Sequence, residues 1–182
     1  MKLGTLEWVP AGDRPDLLAD PVARAIGAMT SEMASGVAGE VSVAPIDPAL
    51  ADTAAFCERY GVAPEESANC VIVAAKRGGE TRYAAVMVLA TMRADVNGVV
   101  RRHLDARKTS FAPQQEAVAL SGMEYGGITP LGLPDDWPVL VDAEVARRPL
   151  LVIGSGIRGS KLALPGEALA RLKTAEVVAL AQ

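Results

Sequence analysis

At 182 residues the chain is long enough for one well-buried core and too short for two ordinary domains, which cluster at roughly 100–150 residues. Half of it is hydrophobic but only 4% is aromatic, so Val, Ala, Leu and Ile must build the core, as in a layered α/β protein and unlike a disordered or disulfide-stapled chain. A formal charge of −4 gives no net attraction for a polyanion, so any nucleic-acid contact has to come from a local patch or a partner.

Leu3 to Val9 suits a short strand, and Pro21 followed by Val22, Ile26, Met29 and Met33 gives a helical stripe that Gly36 and Gly39 end. Residues 1–39 therefore read as an N-terminal extension, with the main domain over 40–182. Glu7, Asp13, Asp16 and Asp20 interrupt residues 1–30, so these do not read as a signal peptide. The longest apolar run, Tyr83 to Ala90, is far short of the roughly 20 residues that span a bilayer. A reducing cytoplasm is the expected compartment, with no membrane partner.

Glu40 to Ala44 alternates as a strand, and an amphipathic helix follows from about Asp52 to Tyr60, closed by Gly61. Asn69 to Ala75 is β-branched and apolar, Lys76-Arg77-Gly78-Gly79-Glu80 supplies a turn, and Arg82 to Thr91 returns, so the spacing predicts a β-hairpin. Asp95 suits the N-cap of a helix bearing Val96, Val99, Val100 and Leu104, with Arg101, Arg102, Arg107 and Lys108 on its other faces and at its end. A helix from Pro113 to about Leu120 stops at Gly122. Gly126 to Pro138 is a shaped loop rich in glycine and proline. Strands are predicted over Val139–Val141, Leu150–Ile153 and Lys161–Leu164, a helix over Pro165–Lys173, and a closing strand over Glu176–Leu180.

No triad stands out. His103 is the only histidine and falls on a charged, solvated helix. Cys57 and Cys70, the only cysteines, have no Cys or His at metal-ligand spacing, so neither a disulfide framework nor a metal site is expected, and nothing calls for a cofactor. Two glycine-rich segments offer backbone N–H groups and room for close approach: Gly126-Gly127-Ile128-Thr129-Pro130 and Gly154-Ser155-Gly156-Ile157-Arg158-Gly159. The second has the spacing of a dinucleotide fingerprint but leads into a strand, so the helix that would receive a pyrophosphate is missing.

Taken in order, Gly61-Val62-Ala63-Pro64, the hairpin, Gly126-Gly127-Ile128-Thr129-Pro130-Leu131-Gly132, a strand ending in Asp142, and Gly154-Ser155-Gly156-Ile157-Arg158-Gly159 resemble the YbaK/EbsC family of aminoacyl-tRNA deacylases. That family includes the editing insertion of prolyl-tRNA synthetases. The resemblance implies an α+β fold in one domain, with a mixed, partly barrel-like β-sheet flanked by helices. It implies a trans-editing enzyme that hydrolyses the ester of a mischarged tRNA without a protein nucleophile. Backbone donors would stabilise the oxyanion while water or the ribose hydroxyl attacks.

By the same resemblance the substrate pocket takes Gly127, Ile128, Thr129 and Pro130 from one loop, Gly154, Ser155, Gly156 and Arg158 from the other, and Asn69 and Cys70 from the hairpin. Cys70 stands where the family carries its catalytic lysine, and a thiol cannot supply that charge at neutral pH. Asn69, Lys161 or Arg158 takes over, or hydrolysis is altered or lost. The alternative is then a catalytically impaired binding module for an aminoacyl or nucleotide-like ligand, or for a synthetase. No base lies near Cys70 in sequence, so it reads as a small strand residue and not a nucleophile. Arg93, Arg101, Arg102, Arg107 and Lys108 are candidates to track tRNA phosphates, or else form a solvated helix face. Aminoacyl-tRNA is the expected partner, an aminoacyl-tRNA synthetase a further candidate, and DNA is not expected.

Overall fold

The computed structural model describes residues 3–32 and 41–181. The organising element is the hairpin of β3 (Ala68–Arg77) and β4 (Glu80–Leu89), paired in unbroken antiparallel register from Ala68↔Leu89 to Arg77↔Glu80. Gly78 and Gly79 form its two-residue turn at φ 60° and 87°, the left-handed geometry that matches strand twist and that glycine adopts without strain.

Around this hairpin the chain builds a mixed sheet in the order β5-β3-β4-β6-β9, where β5 is Lys108–Phe111, β6 is Val139–Asp142 and β9 is Ala175–Val178. The β4–β6 and β6–β9 pairs are parallel. A second, antiparallel sheet runs β1-β2-β8-β7, from β1 (Val9–Pro10), β2 (Ser42–Pro45), β7 (Leu151–Gly154) and β8 (Ser160–Leu164). A parallel bridge between Ser67 and Val152 joins the sheets at the start of β3. The result is a mixed α+β domain with a two-sheet core.

Strand alternation sorts the apolar residues into three clusters. Ile72, Met87, Val139 and Val141 of the first sheet meet Val43, Ile153, Leu162 and Leu164 of the second, with Val22 and Ile26 of α1 (Asp20–Glu32) in the same core. Val73, Val86, Val88 and Leu140 point to the reverse face, where Val96, Val100 and Leu180 cover them. Val152 and Ala163 point outward onto Phe56 and Cys57 of α2 (Thr53–Tyr60), beside Leu3 and Val62. Among the described residues no helix is long and apolar enough to cross a membrane.

Several elements differ from the sequence expectation. Of Leu3 to Val9 only Val9 joins a strand, because Leu3 is buried beside α2 and Trp8 Nε1 donates to its carbonyl at 2.9 Å. The C-terminal helix is shorter than Pro165–Lys173: Pro165 is its N-cap and α6 spans Gly166–Ala170. Asp95 caps as expected, accepting from the Gly98 and Val99 amides, but onto a wide turn over Val96–Val100 that passes into α3, Arg101–His103. The short edge strand β5 follows where no strand is predicted. Met33, Gly36, Gly39 and Glu40 lie outside the described residues. The segment before them packs into the core through Ala11, Leu18, Ala19, Val22 and Ile26.

Candidate active site

A cleft of about 540 Å³ opens where the two sheets meet, within the range of small-ligand sites. Its walls come from the start of β3 (Ser67 to Ile72), the N-terminal turn of α2 (Asp52, Thr53, Phe56), Phe111 at the end of β5 with Ala112 and Gln114, Tyr125-Gly126 and Ile128, and Val152 to Gly154 with Lys161. The lining mixes small and apolar residues with polar side chains, among them Asp52, Thr53, Asn69, Gln114 and Lys161, which can orient a ligand.

The two glycine-rich segments touch directly and form a single wall. The Gly156 amide donates to the Gly127 carbonyl at 2.7 Å. A Cβ on Gly154 would lie 2.3 Å from that carbonyl oxygen, and one on Gly127 would lie 2.6–2.8 Å from the Ile157 backbone. These glycines are required by close backbone approach. A side chain at Gly127 would meet backbone and not a movable side chain, so it strains the fold. Gly127→Ala is expected to cost about 1–3 kcal/mol of stability, read as a lowered midpoint in urea unfolding. A midpoint equal to that of the parent would contradict the close-packed wall.

Of the residues expected to bind substrate, Asn69, Cys70, Ile128 and Gly154 line the cleft. The others stand behind it. Thr129 and Pro130 are buried. Ser155 is also buried, its Oγ 2.7 Å from Ser160 Oγ, and Gly156 abuts Ala19, just before α1, and Val22 within it. Arg158 braces the rim: its Nε donates to the Pro48 carbonyl at 3.1 Å and its guanidinium to the Tyr125 carbonyl at 3.2 Å, while its amide is held by Glu124. Asn69 accepts from Thr53 Oγ1 at 2.7 Å, tying β3 to the start of α2.

Lys161, one of three possible substitutes named above for the family's lysine, is the charged group the cleft encloses. Alternation along β8 aims it, with Ala163, toward α2. It is 6% exposed, its Nζ donates to the Ala51 carbonyl at 2.7 Å, and it sits 5.3 Å from the Phe56 ring centroid. Desolvation lowers its pKa to about 8, with Cys57 and Asp52 pulling the other way and nearby Arg158 adding to the depression. At neutral pH it is an ammonium in a largely apolar wall. One of its three protons is committed to Ala51, which leaves donors for a ligand.

Cys70 is a poor nucleophile by the same physics. Burial pushes its thiol up to about 12, and no histidine is at hand. His103 instead pairs with Glu176 of β9, Nε2 to Oε2 at 2.8 Å. Cys57 is buried, its Sγ 3.4 Å from Ser67 Oγ. Among the described residues no group of three His, Cys, Asp or Glu could hold a metal.

The basic residues divide between the two faces of the five-stranded sheet. Arg101 and Arg102 ride on the helical turn whose Val96 and Val100 cover the reverse face. Arg107 leads into β5, its amide donating to the Lys76 carbonyl, and Arg93 is exposed just past β4. Lys108 pairs with Lys76, and alternation from Cys70 and Ile72 puts both lysines on the face that fronts the cleft.

Residues 47–172 match the family model of the aminoacyl-tRNA editing domain. Among solved structures, a protein proposed as a trans-editing enzyme for prolyl-tRNA synthetase superposes with a TM-score of 0.73 at 18% identity, over 91% of this chain and 99% of that one. The hypothetical protein APE2540 gives 0.65 at 22% identity, over 76% and 86% respectively. At these identities the likeness establishes the fold. Among curated proteins, none matches this sequence.

Proposed function

The chain belongs to the aminoacyl-tRNA editing domain family, and we propose that it is a free-standing deacylase that hydrolyses the ester between a wrong, small amino acid and the terminal ribose of a tRNA, with Lys161 supplying the charge. The observation that carries this reading is a buried ammonium in the one wall of the cleft that could otherwise offer only backbone and apolar groups.

In the proposed step, water adds to the ester carbonyl carbon, the carbonyl oxygen gains negative charge, and Lys161 donates to it in a site where low dielectric strengthens the interaction. Asp52 lines the cleft close enough to influence Lys161, and its side chain makes no capping bond to α2. It is the group placed to take the water's proton. As the tetrahedral species collapses, the bond to the ribose oxygen breaks and that oxygen receives the proton. Ala68, Cys70, Ala117 and Ile153 give the pocket a small, apolar lining on one side, which suits an uncharged amino-acid side chain. The structural likeness to a protein proposed to edit for prolyl-tRNA synthetase makes that synthetase's mischarged products the first to test.

Incubation with a panel of mischarged tRNAs tests the proposal. Release of a small amino acid well above the spontaneous rate is expected, and no release from any member would sink it. Cys70→Ala should retain the rate to within about threefold, since a thiol titrating near 12 is protonated throughout the working range. Loss of activity in that variant would restore Cys70 as a nucleophile. Cys70 at the position of the family's lysine favours a second reading, a module that binds an aminoacyl ligand or a synthetase without hydrolysis. The panel separates the two.

A further inference from the structure

In a chain with two phenylalanines, three tyrosines and two tryptophans, the fate of each aromatic ring is informative. Phe56 is buried against Tyr60, and Tyr60 Oη accepts from the Asp47 amide. Tyr83 stacks on the buried Trp137 at 5.2 Å, and Trp8 donates to the Leu3 carbonyl. Only Phe111 and Tyr125 are left exposed, at 64% and 55%, and both line the same cleft. Single exposed apolar residues need no explanation, but two rings gathered at one site do.

They come from separate parts of the chain. Phe111 ends the edge strand β5, and Tyr125 sits in the segment whose carbonyl Arg158 holds. Phe111 stands opposite Val73 of the reverse-face cluster, at the end of β5 where the sheet edge meets the cleft. Lys108 and Lys76 lie on the other face of the sheet by alternation and are no part of this surface. Aromatic faces beside a pocket are what the bases of a single-stranded polynucleotide stack on.

We propose that Phe111 and Tyr125 form a stacking platform at the cleft that holds the unpaired 3′ end of the tRNA while the aminoacyl group enters toward Lys161. This deepens the deacylase reading and rests on it for the identity of the RNA. The aromatics set the register of the strand. Positioning by stacking is tolerant of sequence, so it suits an end common to all substrates.

The test is direct binding of an uncharged RNA minihelix with a four-nucleotide single-stranded 3′ end, compared with the same duplex made blunt. The parent protein should bind the overhang form at least 10-fold more tightly, and Phe111→Ala with Tyr125→Ala should weaken it about 30-fold, the worth of a stacked base or two. Phe111→Trp with Tyr125→Trp should restore it. Equal affinity for both RNAs, or a double alanine variant within twofold of the parent, overturns the platform. Mischarged-tRNA hydrolysis separates this inference from the reading it rests on. Deacylation by the parent with kcat/KM unaffected by the aromatic substitutions removes the platform alone. Stacking-dependent binding without hydrolysis removes the deacylase alone.

Discussion

Lys161→Met is expected to lower the rate of deacylation by about 100- to 1000-fold, the cost typical of removing one donor from a preorganised oxyanion site. The side chain is 6% exposed and shares its pocket with Phe56, so methionine fills the same space without the charge. Exchanging a desolvated cation for an apolar side chain is usually close to neutral for stability, so the thermal midpoint should move by only a few degrees. Loss of rate with the fold retained is the signature of a lost charge. An unchanged rate would remove Lys161 from the mechanism.

The pH profile gives a second readout on the same group. Burial lowers the Lys161 pKa to about 8, so the ammonium is the main species at neutral pH and is lost as pH rises through that value. Once the spontaneous hydrolysis of the ester is subtracted, the enzymatic rate should decline above about pH 8. Lys161→Arg keeps its charge throughout, because a guanidinium titrates above about 12, and should carry whatever activity it retains to higher pH. A rate that climbed without a break to pH 10 would mean the neutral amine is the working form.

Local chemistry made much of the fold legible. The run of β-branched residues around Gly78-Gly79 specifies the hairpin, Gly61 and Gly122 end their helices where expected, and Asp95 caps its turn. Strand β5 was not legible, because Lys-Thr-Ser-Phe is four residues long, mostly exposed and without an apolar alternation; it is a strand only because β3 offers it an edge. The parallel pairing of β6 with β4 and β9 is likewise set by tertiary packing and has no local signal.

For the site, glycine spacing located the correct segments but did not say which atoms face the ligand. Gly127 and Gly154 let two backbones meet, and a motif looks the same whether its glycines touch a ligand or each other. Lys161 could have been singled out more firmly. A lysine second in a strand of apolar and small residues, Ser-Lys-Leu-Ala-Leu, is costly to bury and so points to a use. Phe111 and Tyr125 carried no sequence signal, since only the structure reveals that they are the aromatics left uncovered.

Asp142 shows the same separation of motif from chemistry, and its substitution has the largest effect on stability expected here. The sequence pattern places an aspartate at the end of the strand before the second glycine segment, and in an editing enzyme a carboxylate invites a catalytic role. The side chain does not line the cleft. It is 3% exposed and accepts three backbone N–H groups: Oδ1 from Glu144 at 2.9 Å, capping α5 (Ala143–Ala146), and Oδ2 from Leu180 at 2.8 Å and Ala181 at 3.0 Å. One buried carboxylate thus fastens the C-terminal segment to the end of β6, where Leu180 closes the reverse-face cluster over Val100 and Leu140. Asp142→Ala strands all three donors and should cost about 3–5 kcal/mol, a large part of the roughly 5–15 kcal/mol that holds a domain together. Asp142→Asn keeps the shape and one acceptor oxygen, so its loss should be smaller, about 1–3 kcal/mol. Urea unfolding measures both, and the amides of Leu180 and Ala181 should lose their protection from hydrogen exchange first. If Asp142→Ala unfolded within about 1 kcal/mol of the parent yet lost deacylation, the carboxylate would belong to the chemistry and the clasp would be incidental.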